Sequence, residues 1–153
     1  MTPVFQRIVA LGNGDCMRAA VASVLDLPYE DVPDLSGPMQ GLELAEWLNA
    51  TGRPAIHLDQ WHLKPHSNPE VLGGRPWDAR EMLRFDYAAG AIAIASVPSQ
   101  KFPGGWHAIV VRFTMQPEGW VRLECVHDPN PGNAPYDMET TEIRHLTFIM
   151  RAG

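Results

Sequence analysis

The chain predicts an α+β domain, with helices from its first half packed on one side of an antiparallel sheet built from its second half. Two patterns carry that expectation. Apolar residues recur at helical spacing through Met17, Ala20, Val21, Val24 and Leu25, and again through Leu44, Trp47 and Leu48. Beyond residue 90, β-branched and aromatic runs follow one another, separated by Gly, Pro, Asn and Asp.

The elements follow in order. Residues 1–12 form a short lead-in, extended around 4–11. Asn13-Gly14 favours a tight turn, and Asp15 is a suitable N-cap whose carboxylate can accept from the orphan N–H groups of a helix start. From Cys16 no breaker occurs until Pro28. Residues 27–35 are a proline-bounded connection with a short helical turn. A second helix spans 40–50, stopped by Gly52, with Leu44, Trp47 and Leu48 on its buried side. A short strand over 55–58 precedes a long loop at 59–76, and Asp78 caps a third helix reaching about residue 88. The small apolar run 91–97 is the pattern of a strand buried on both faces. Strands over 106–113, 120–127 and 143–151 complete the sheet.

Bulk properties set limits. With 153 residues the chain suffices for one domain, 1–153, with a real core. A formal charge of −6 argues against unaided nucleic-acid binding, which rests on a basic footprint. No apolar run approaches the roughly 18 residues of a membrane span, and the first residues lack the basic and apolar regions of a signal peptide. The expected setting is cytoplasmic, with the 2 cysteines, Cys16 and Cys125, as free thiols. Cys125 shares strand parity with Val121 and Leu123 and reads as a core residue. No phosphate-binding motif occurs. His57, His62 and His66 with Asp59 match no familiar metal spacing, so neither a metal nor a cofactor is expected. The acidic residues Asp26, Glu30, Asp31 and Asp34 read as a solvated face that would favour a basic partner.

The chemistry concentrates on Cys16. At the first turn of a helix, free N–H groups and the helix dipole favour a thiolate, the setting of a nucleophilic cysteine. His107, after Gly104-Gly105-Trp106, shares strand parity with Ile109, Val111 and Phe113. If that row faces the helices, its imidazole can take the cysteine proton. Asp128, ending the next strand, then accepts from the ring and fixes its tautomer, with Asn130 as the fallback. The glycines, Gly105 included, leave room for a substrate backbone, and Trp106 is placed to line the cleft.

An early Asp-Cys at a helix start, a later Gly-x-His before a β-branched strand, then Asp-Pro at the next strand's end resembles the papain-like cysteine peptidases. The nearest likeness is to their compact bacterial branch, which includes the peptidase domains of bacteriocin exporters. Residues 14–33, Gly-Asp-Cys with an alanine-rich helix and Leu-Pro-x-Glu-Asp-Val-Pro, also resemble small phage and prophage proteins of this type. The resemblance covers residues 6–132. It implies a papain-like fold with Cys16 as nucleophile, His107 as base and Asp128 as orienter. The family sets an oxyanion glutamine about six residues before the cysteine, where this chain has Ala10; Gln6 and Asn13 are the nearby side chains able to replace it.

The function expected is therefore a cysteine hydrolase acting on a peptide or isopeptide bond of a peptide or protein substrate through a thioester. A deamidase or acyltransferase using the same thiolate is the alternative within enzymes. A non-enzymatic binding module of the same fold is the alternative outside them. Oligomeric state is not legible in the sequence.

Overall fold

The computed structural model describes residues 1–37, 40–59, 90–117 and 121–150. Two helices and a five-stranded sheet make up its regular structure, α1 (Cys16–Leu25), α2 (Gln40–Ala50), β1 (Ala55–Asp59), β2 (Ile92–Pro98), β3 (Trp106–Met115), β4 (Val121–His127) and β5 (His145–Ile149), with a 3-10 turn at Tyr29–Asp31. Strand order is β1-β5-β2-β3-β4, and each neighbouring pair is antiparallel. The architecture is the α+β arrangement expected. The predicted third helix, and all of the predicted loop past Asp59, lie outside the described residues, together with His62 and His66.

α1 forms where the sequence places it. Its buried run Ala19–Val24 consists of small or β-branched residues, which lets the helix sit close on the sheet. Asp26 ends it in the left-handed region (φ 55°), and the Leu27 N–H closes the last turn on the Ala22 carbonyl at 3.0 Å. Ala20, Val21 and Val24 pack with Leu44 and Leu48 of α2 and with Ile94, Ala108, Val110 and Ile149 of the sheet. Trp47 is only partly buried against this cluster.

β2 is the central strand. Ile94 faces the helices, while Ala93, Ala95 and Val97 enter a second cluster on the opposite face. That second cluster corrects the expected facing of β3. Ile109, Val111 and Phe113 do not meet the helices; they lie against Leu123, Leu146, Met138 and Ile143. Ala108 and Val110 are the helix-facing residues. The stretch around Met138 and Ile143, between β4 and β5, packs on the far face, so each face of the sheet carries a buried apolar cluster. Period-2 alternation sorts a strand into two rows but does not say which row meets the helices.

β3 and β4 carry one irregularity. Val110 pairs with His127 and Val111 with Cys125, which leaves Val126 without a partner of its own in the ladder. Val126 lies against the helix-side cluster, and the pairing brings the end of β4 alongside the start of β3. That placement sets up the site.

Phe113 is fully buried, its ring centroid 5.3 Å from that of Phe148 in a tilted pair. Phe113→Ala is expected to lower unfolding free energy by about 3–5 kcal/mol, read from urea denaturation at unchanged slope.

Candidate active site

His107 opens β3 and is 7% exposed. Its Nε2 lies 2.6 Å from Oδ1 of Asp128. The Cys16 thiol lies on the ring's other side, close enough to favour its charged form. With Nε2 committed to the carboxylate, Nδ1 is the nitrogen left for the thiol. A thiol, an imidazole and a carboxylate thus stand in sequence, drawn from the start of α1, the start of β3 and the turn after β4. The contact forms at the end of the sheet and does not use the helix-facing row.

Charge stabilisation follows from this geometry. Burial works against a charged ring at His107, but the bond to Asp128 and the neighbouring Cys16 outweigh it and raise the imidazole from 6.5 to about 9. Burial likewise opposes ionisation of Asp128, yet the His107 bond, the Asn130 N–H and the Asn133 amide hold its carboxyl below the ordinary value. Cys125 differs. Burial, then the nearby Asp128 charge, push its thiol up to about 11.

Asp128 is positioned by its own turn. Oδ1 also accepts from the Asn130 N–H at 2.8 Å, and Oδ2 accepts from Asn133 Nδ2 at 3.0 Å. Asn130 is not an orienter of His107. Its side chain accepts from the Gly132 N–H at 3.0 Å and donates to Asn133 Oδ1 at 3.2 Å, so it braces the turn. Asn133 carries no signal in the sequence beyond being an Asx residue that closes Asp-Pro-Asn-Pro-Gly.

Asp15 departs from its expected role. It makes no side-chain cap to α1. Buried to 4% exposure, its carboxylate accepts from the backbone N–H groups of Arg7 and Ile8, each at 2.9 Å, and from the Tyr29 hydroxyl. The neighbouring acidic residue Glu30 is paired with Arg7.

Of the two oxyanion candidates, Gln6 lies at the site. It lines a recess of about 30 Å³ with Cys16, Lys101, His107 and Asn133, room for about one water. Asn13 is exposed and lines neither this recess nor the cavity of about 440 Å³ that runs beside Cys16 and His107 between Leu11, Met17, Phe102 and Trp106. Trp106 takes the cleft position expected of it, with the Arg144 guanidinium 5.1 Å over its ring. Gly105 does not line the cleft. A Cβ there would lie 2.9 Å from Leu11 Cδ1 and 3.0 Å from the Phe102 carbonyl, so its missing side chain makes room for this chain's own loops. A second cavity of about 480 Å³, walled by Leu44, Leu48 and Ile94, shares Met17, Gln40 and Ser96 with the first. His57 lines it, bonded through Nδ1 to Thr147 Oγ1 at 2.8 Å. No helix among the described residues is long and apolar enough to cross a membrane.

Comparison of the chain with protein-family models, with curated proteins and with solved structures finds no match.

His107 binds its proton more tightly folded than unfolded, so its contribution to stability is complete below pH 6.5 and lost as pH rises through about 9. Asp128, held low, acts at the other end: its contribution is lost as pH falls through its folded value. Urea unfolding of the wild type is expected to show stability falling between pH 6.5 and 9, and His107→Ala to remove that fall. In the same window, the His107 ring resonances of Asp128→Asn are expected to titrate at lower pH than those of the wild type.

Proposed function

We propose that the chain is a cysteine-dependent acyl-transfer enzyme, with a papain-like arrangement, that hydrolyses a peptide or isopeptide bond. One observation carries the reading: His107 is held between the Asp128 carboxylate and Cys16, with the thiol at the start of α1. In this reading the imidazole takes the thiol proton and Asp128 keeps the ring oriented and its charge stabilised. Cys16 Sγ attacks the substrate carbonyl, and the imidazolium returns its proton to the leaving amine. Water, deprotonated by the same ring, then releases the acyl group from the thioester.

Two neighbouring cavities, one beside Cys16 and one against α2, favour a chain-like substrate, and their walls are mostly apolar. A deamidase or acyltransferase shares every step up to the thioester, and product masses separate the two: hydrolysis cuts the chain, deamidation only shifts its mass. A binding module of the same fold has no use for an activated thiol.

Iodoacetamide labelling, followed by peptide mass mapping from pH 5 to 10, tests the pair. Cys16 is expected to label below pH 8 and well ahead of Cys125, with the advantage lost in His107→Ala. Equal labelling of the two cysteines in the wild type sinks the catalytic reading.

A further inference from the structure

We propose that Asp15 is a positioning residue, whose carboxylate holds the Gln6 amide beside Cys16 as the side-chain donor to the oxyanion. The inference rests on the acyl-transfer reading and extends it to how the site is assembled. Its basis is the way residue 15 grips Ile8 from both sides. The Asp15 carboxylate accepts the Ile8 N–H at 2.9 Å, and the Asp15 backbone N–H donates to the Ile8 carbonyl at 3.3 Å. That same carbonyl accepts Gln6 Nε2 at 3.2 Å. Of the two Nε2 hydrogens this bond uses one, and the other remains for a ligand. The Gln6 backbone is fastened at the opposite side of the site, its N–H donating to the Pro129 carbonyl at 3.0 Å. Residues 6–8 therefore bridge the nucleophile to the turn that carries Asp128.

The surroundings leave the carboxylate little freedom. Tyr29 donates its hydroxyl to Asp15, and its ring lies between the Arg7 and Arg18 guanidiniums at 4.1 and 4.2 Å. Gly14 permits the close winding of the loop, since a Cβ there would lie 2.7 Å from the Ala10 carbonyl. The Oε1 of Gln6 is buried without a hydrogen-bond partner among the described residues. That oxygen is an acceptor and takes no part in binding an oxyanion; the donor on offer is the second Nε2 hydrogen, on a side chain that lines the recess shared with Cys16 and His107. Spacing along the chain does not reveal this donor; the turn at 8–15 folds Gln6 back to Cys16.

Two probes of the same sulfur separate positioning from reactivity. Acetylation by p-nitrophenyl acetate passes through an oxyanion: Sγ bonds to the acetyl carbon, p-nitrophenolate departs with the electrons of the broken C–O bond, and the thiol proton goes to His107. Alkylation by iodoacetamide displaces iodide at saturated carbon and forms no oxyanion. Gln6→Ala is expected to slow acetylation by about 100-fold, the usual loss for one oxyanion donor, and Asp15→Asn by about tenfold, because Gln6 remains but is loosened. Both should alkylate at Cys16 within about twofold of the wild type, and the double variant should acetylate no more slowly than Gln6→Ala. Asp15→Asn slowing both reactions alike, slowing neither, or adding its full loss to that of Gln6→Ala overturns the inference. If circular dichroism shows Asp15→Asn unfolded, Tyr29→Phe replaces it: the same split at smaller size supports positioning, and no split overturns it. A wild-type Cys16 that alkylates no faster than Cys125 overturns the acyl-transfer reading and this inference with it, whereas fast alkylation without the split overturns this inference alone.

Discussion

The contact between His107 and Asp128 is the constraint on which the rest of this end of the molecule depends. An imidazole buried to this degree loses most of its hydration, and a charged ring there is tolerated only if its bonds replace the lost water. Asp128 supplies one such bond at 2.6 Å, and the adjacent Cys16 adds to the stabilisation of the charged ring. Asp128 faces the same demand and meets it with a third donor set, the Asn130 N–H and the Asn133 amide. Each buried charge thus needs a further polar group behind it. The network closes only because the turn after β4 folds back on itself.

The sheet register makes that closure possible. A single unpaired residue at Val126 resets the pairing of β4 with β3, and the residues after His127 come to lie beside the start of β3. Without the extra residue, the period-2 rule would give the end of β4 the opposite facing. The buried bulk around it is ordinary apolar packing on both faces of the sheet, and it supplies the rigidity that a short carboxylate–imidazole contact demands.

A second fastening lies on the other side of Cys16. Asp15 binds the backbone of residues 7 and 8, and the segment before them is tied to the β4 end by the His127–Val4 and Gln6–Pro129 bonds. The chain's first residues therefore cross from one half of the site to the other. Under the acyl-transfer reading, this strap and the Asp128 turn hold the two sides of one reaction centre, and neither is a regular secondary-structure element. Local hydrogen bonding by Asp and Asn is well suited to that task, because their short side chains reach backbone N–H groups that no helix or strand satisfies.

The amino-acid sequence by itself determined the local elements: α1 and α2 from their 3.6-residue apolar spacing, β2 from its continuous small apolar run, and the candidacy of Cys16, His107 and Asp128 from their places at element ends. These are near-neighbour properties, set by periodicity, capping and turn chemistry. The tertiary structure alone decided which row of β3 meets the helices, that Asp15 grips a strap and does not cap a helix, that the Asn133 side chain, and not that of Asn130, binds Asp128 beside the histidine, and that Gln6, not Asn13, lies by Cys16. Each of these turns on a contact between residues whose spacing carries no signal, set by a one-residue bulge or by the path of a loop. Side-chain partners across such distances are chosen by burial, because an unsatisfied polar group in the interior is costly wherever its partner lies in the chain.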